Sequence, residues 1–102
     1  MGPDSDFEAA TAKPRLTLSP QGGNVVIEFT NPRPVDGVKI WTKRGSETAY
    51  SFIAVDTESP YIDNRPNLSA GIAEERKYKA FFFVDDDIIG LESDEVSISI
   101  TK

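Results

Sequence analysis

A chain of 102 residues with 38% hydrophobic and 27% charged side chains has room for one domain built on one core. The net charge of −6 opposes binding to nucleic acid, which needs a basic stripe that displaces counterions, and opposes docking on an anionic membrane. With no cysteine and no histidine, disulfides, thiolate nucleophiles and the commonest general base and transition-metal ligand are all excluded.

No apolar run is long enough for a membrane-spanning helix, and the opening Met1-Gly2-Pro3-Asp4 lacks the basic and apolar regions of a signal peptide. The Met-Gly start reads as that of a fragment, which leaves the compartment open. Residues 1–13 are polar, acidic and unpatterned, with Phe7 the only large apolar group, and read as a linker or tail. Residues 14–102 read as the folded domain.

Arg15–Ser19 alternates, with Leu16 and Leu18 on one face. Gly22-Gly23 turns the chain into Asn24–Thr30, where Val25, Ile27 and Phe29 point inward. Pro32 and Pro34 end that strand, because proline cannot donate to a ladder. Asp36-Gly37 opens a third strand, Val38–Lys43, with Val38 and Ile40 on one face and Lys39, Trp41 and Lys43 on the other. Tyr50–Asp56 is apolar on both faces, and Ser59-Pro60 turns into the short Tyr61-Ile62-Asp63.

The long connection over residues 64–75 leaves room for a helical turn around residues 70–76, although Gly71 and the β-formers that follow oppose a full helix. Lys77–Asp85 reads as a strong strand with Tyr78, Ala80, Phe82 and Val84 inward. Asp85-Asp86-Asp87 turns the chain, and Glu95–Thr101 closes it with Val96, Ile98 and Ile100 inward. Seven short runs of period two, separated by turn residues, predict an all-β, seven-stranded antiparallel sandwich, which the family-like positions that follow make immunoglobulin-like by resemblance.

In order along the chain, several positions resemble the fibronectin type III family. Phe29 takes the place of the family's buried strand-B tryptophan, and Asp36-Gly37-Val38-Lys39-Ile40-Trp41 is similar to strand C. Tyr61-Ile62-Asp63 resembles strand E. Leu68 and Tyr78 are similar to the pair that builds the tyrosine corner, which ties the E–F connection to strand F. Gly90, Ser93, Val96, Ile98 and Ile100 resemble the closing strand. The likeness extends to C-terminal fibronectin-like domains of uncharacterised bacterial proteins, and it implies a fold without an activity.

Parity also places aromatic side chains on the side away from the core. With Val38 and Ile40 inward, Trp41 faces out; with Tyr78, Ala80, Phe82 and Val84 inward, Phe81 and Phe83 face out. The resemblance makes strands C and F neighbours, which sets these rings side by side, with Phe52 and Tyr50 extending the group. Lys39, Lys43, Lys77 and Lys79 surround it. One reading of this set is a docking face for a neighbouring domain, a second copy or a peptide. The other is cross-strand aromatic pairing, covered by lysine stems, that stabilises the sheet.

The acids invite other chemistry without supplying its geometry. Asp85-Asp86-Asp87 with Glu92, Asp94 and Glu95 lacks the ligand spacing of a calcium loop and reads as a solvated turn. Carboxylate pairs without a cleft do not build a glycosidase, serines without histidine do not build a triad, and Gly22-Gly23 is too short to cradle phosphate. The expectation is a non-catalytic protein-interaction module with no cofactor. A passive spacer and a carbohydrate-binding module are the alternatives.

Overall fold

The computed structural model describes residues 8–101; residues 1–7, and with them most of the expected tail, lie outside the described residues. Eight strands run in chain order: β1 Leu16–Gln21, β2 Asn24–Phe29, β3 Gly37–Arg44, β4 Ser51–Asp56, β5 Tyr61–Asp63, β6 Glu74–Val84, β7 Asp87–Ile89 and β8 Val96–Ile100. No helix occurs among the described residues. Every pairing is antiparallel, in a three-stranded sheet β1-β2-β5 and a five-stranded sheet β4-β3-β6-β7 in which β8 also pairs with β6. The two sheets form a sandwich.

Alternation builds the core. Val25, Ile27 and Phe29 on β2 meet Val38 and Ile40 on β3 and Tyr78, Ala80 and Phe82 on β6, and all of them are buried. Leu16 and Ile100 close the two sides, while Val96 and Ile98 pack more loosely against the cluster. Hydrophobic residues at every second position leave each strand one buried face, which fixes the register.

The described residues carry one strand more than the seven expected. Val84 pairs with Asp87 across a two-residue turn in which Asp85 and Asp86 both have positive φ, 50° and 71°. Two successive positive φ values match the right-handed twist of a hairpin, and aspartate tolerates them better than most residues. The acidic turn therefore starts the short β7 directly.

The eleven-residue β6 is long enough to take two partners, with β7 beside Phe82–Val84 and β8 beside Glu74–Tyr78. Ser93 fills the gap between them. Its N–H donates to the Ala80 carbonyl at 2.8 Å, and its hydroxyl accepts from the Ala80 N–H at 2.9 Å.

The connection before β6 holds no helical turn over residues 70–76. A single hydrogen-bonded turn, Ile72 N–H to Ser69 O at 3.1 Å, precedes the strand, which already runs at Glu74. Arg76 is consequently a strand residue, fully buried in phase with Tyr78 and Ala80.

At the other end of the molecule, Glu8 to Ala12 makes a turn whose Ala12 carbonyl accepts from the Leu91 N–H at 2.8 Å. Gly90 permits that approach: its φ is +73°, and a Cβ there would lie 2.1 Å from the Ala12 carbonyl oxygen.

Candidate functional site

The candidate site is the outer face of the five-stranded sheet. Pairing of β3 with β6 sets Lys39 opposite Phe81, Trp41 opposite Lys79 and Lys43 opposite Lys77, all on the side away from the core. Trp41 sits at the centre. Its ring meets Phe52 at 5.1 Å and Phe81 at 5.7 Å between centroids, both edge to face at 68° and 81°. That geometry sets the positive ring edge against the negative ring face and makes each pair attractive. Rings turned so steeply to one another do not form a coplanar platform.

A bulge in β4 sets the composition of the next column. Ile40 pairs with Ala54 and Trp41 with Phe52, so Ile53 is one residue too many for the ladder. Ile53 turns inward and packs against the core, and Phe52 and Val55 both reach the outer face although they are three residues apart. They are 51% and 52% exposed. On the far side Ile88, paired with Phe83, is also exposed.

The seven residues expected on this face do lie on or beside it, but not equally open. Phe52 is exposed, while Trp41, Phe81, Tyr50, Lys39 and Lys79 are half-buried. Phe83 is different. Only 5% of it is exposed, because the Lys39 ammonium lies 5.6 Å from its ring centroid and Ile88 pairs beside it. The Lys39 ammonium is itself anchored, donating to the Asp86 carbonyl at 2.6 Å. Outward parity therefore does not leave Phe83 open to contact.

Tyr50 precedes β4 and is held between two cations, with the Lys43 ammonium 5.2 Å and the Lys79 ammonium 4.1 Å from its ring centroid. Its hydroxyl donates to Glu95, and Lys79 pairs with Glu92 at 3.1 Å. Burial, the Glu95 hydrogen bond and nearby carboxylate charge raise the Tyr50 pKa; the same hydrogen bond lowers that of Glu95. The face thus has a braced, charged half around Tyr50 and a more open apolar half around Phe52, Val55, Trp41 and Ile88.

Reasoning from sequence did not pick out Val55 or Ile88. The bulge that turns Val55 outward has no signature in the run Ser51–Asp56, and Ile88 stands on a strand that was not expected. It also missed a buried polar cluster between β5 and β6. Arg76 donates through Nε to Glu74 at 2.8 Å and through Nη2 to the Arg65 carbonyl at 2.8 Å and to Asn67 Oδ1 at 2.9 Å. Its Nη1 lies 3.4 Å from Asp63 Oδ2.

Asp63 also receives Arg65 Nε at 2.8 Å, Arg65 Nη2 at 2.7 Å and the Tyr78 hydroxyl at 2.6 Å. Burial alone would raise the Asp63 pKa, but the Arg65 and Tyr78 hydrogen bonds outweigh it and hold the carboxyl at about 2. The corner expected of Leu68 and Tyr78 is replaced by this cluster. Leu68 is 54% exposed, and the hydroxyl ends on a strand carboxylate while Arg76 secures the connection. Carrying the inward parity of Tyr78 back to Arg76 and Glu74 was the available signal.

No protein-family model matches the sequence, and no curated protein matches it.

Proposed function

We propose that this chain is a non-catalytic protein-interaction module of fibronectin type III-like build that docks through the outer face of its five-stranded sheet. One observation carries the reading: half-exposed Phe52 and Val55 adjoin the Trp41–Phe81 pair on a single sheet face, with Ile88 at its far side. Isolated apolar residues are ordinary on a protein surface, whereas contiguous ones mark contact sites. Aromatic residues ringed by polar ones are also the composition of an interface core and rim. The central pairing of β3 with β6 and the roles of Gly90 and Ser93 around the last strands support the family-like build.

Amide chemical-shift mapping tests the reading. The labelled domain is titrated with itself and with a panel of peptides. Shifts concentrated on β4, β3 and the Phe81–Ile88 hairpin are expected. Shifts confined to β1, β2 and β5, or none up to millimolar concentration, would contradict it.

A further inference from the structure

A strand at the border of a sheet presents unpaired N–H and C=O groups, and proteins usually blunt such borders with proline, charge or short length. Most borders here are blunted. β1 contains Pro20, β5 spans three residues between Pro60 and Pro66, β7 spans three residues after an acidic turn, and β8, paired only with β6, packs Val96 and Ile98 against the core and has β1 alongside it. β4 differs. Ser51–Asp56 contains no proline, glycine or lysine, carries its only charge at its last residue, and presents half-exposed Phe52 and Val55.

The bulge gives this strand a symmetry that a regular strand lacks. Ser51 and Asp56 pair with Thr42 and Val38 on the inner face, Ile53 and Ala54 turn inward, and Phe52 and Val55 turn outward. Read from either end, the order of faces is the same: in, out, in, in, out, in. In a regular strand, a two-fold axis between two residues would set every outward side chain against an inward one. Here it sets like against like.

We propose that β4 is a self-pairing border, joined antiparallel to β4 of a second copy about a two-fold axis between Ile53 and Ala54. Phe52 then stands opposite Val55 of the second copy, Ile53 opposite Ala54, and Ser51 opposite Asp56, so no like charges meet across the ladder. The two five-stranded sheets become one, and the aromatic outer faces run on from one copy to the other. A two-fold pairing of this kind uses both borders at once and closes the assembly as a dimer. Each copy carries a net charge of −6, so screening by salt strengthens the association. The proposal rests on the function proposed above in taking a protein as partner, and it names that partner as a second copy.

Cysteine cross-linking tests the register, since the chain has no thiol of its own. Opposed residues of an antiparallel pair stand about 4.5–5.5 Å apart between Cα atoms, within the range a disulfide spans. Phe52→Cys and Val55→Cys chains, mixed under mild oxidant, are expected to give the mixed disulfide at several times the yield of either homodimer. Sedimentation equilibrium of the unmodified chain should show a dimer that strengthens with salt. Val55→Lys should make it monomeric, with the melting temperature of the dilute, dissociated chain unchanged.

A random mixture, in which the mixed disulfide is only about twice either homodimer, a monomer up to millimolar concentration, or a dimer indifferent to Val55→Lys would overturn the proposal. The two failures are separable. A monomer whose outer face still shifts on binding a peptide loses the second copy and keeps the docking face; a cross-linked dimer with that face untouched elsewhere does the reverse.

Discussion

The Tyr78 hydroxyl donates to Asp63 Oδ2 at 2.6 Å, linking the two sheets through a hydrogen bond inside the sandwich. Removing the hydroxyl leaves a buried carboxylate short of one donor. Tyr78→Phe should therefore destabilise the fold by about 1–3 kcal/mol in urea unfolding at neutral pH.

The same carboxylate predicts an acid dependence. Its folded pKa of about 2 lies below its ordinary 3.8, because Arg65 and Tyr78 outweigh burial. Glu74 is lowered too: burial raises it, but the Leu68 N–H and Arg76 prevail. A lowered folded pKa means that the unfolded chain takes up the proton first. The contribution is complete above the unfolded values, and it is lost as pH falls from about 5 towards 2, with Asp63 worth on the order of 2 kcal/mol. The stability gap between the unmodified chain and Asp63→Asn should narrow steadily over that range in pH-dependent urea melts.

Arg76 is fully buried and faces both Asp63 and Glu74. Arg76→Met strips two buried carboxylates of a common cation. It should cost about 3–5 kcal/mol, measurable as a fall in the urea midpoint with little change in slope.

Two glycines stand where backbone approaches backbone. A Cβ on Gly37 would lie 2.2 Å from the Asp56 carbonyl oxygen, so Gly37→Ala should force β3 from β4 and cost about 1–3 kcal/mol in thermal unfolding. Gly90→Ala should act locally. Its Cβ would meet the Ala12 carbonyl, and the Leu91 N–H that bonds there should lose protection in hydrogen exchange.

Phe83 and Phe52 separate burial from parity. Phe83→Ala should cost about 3–5 kcal/mol. Phe52→Ser, at a half-exposed position, should stay within about 0.5 kcal/mol of the unmodified chain. Parity put Phe83 on the outer face, and a place on the adjoining strand put Phe52 beside it. What parity omits is the cover over Phe83 from Lys39 and from Ile88 on a strand that the acidic turn concealed.

The legible parts of the molecule are those governed by local alternation. Val25, Ile27, Val38, Ile40, Tyr78, Ala80 and Phe82 declare their faces within their own strands, and turn residues mark most strand ends. The illegible parts depend on a neighbour. The bulge at Ile53 is a property of the β3–β4 ladder, not of the run Ser51–Asp56. Arg76 read as the end of a helical turn before the strand, whereas buried partners across the sandwich hold it inside.

Trp41 offers the most direct test of the docking face, being the only tryptophan of the chain and the centre of that face. Its quenching by acrylamide is to be compared in dilute solution, at high concentration and with saturating peptide. Docking predicts a clear fall in quenching in a concentrated or peptide-bound state, and its abolition by Phe52→Lys without change in the melting temperature of the dilute chain. Equal quenching in all three states would contradict an interaction through this face.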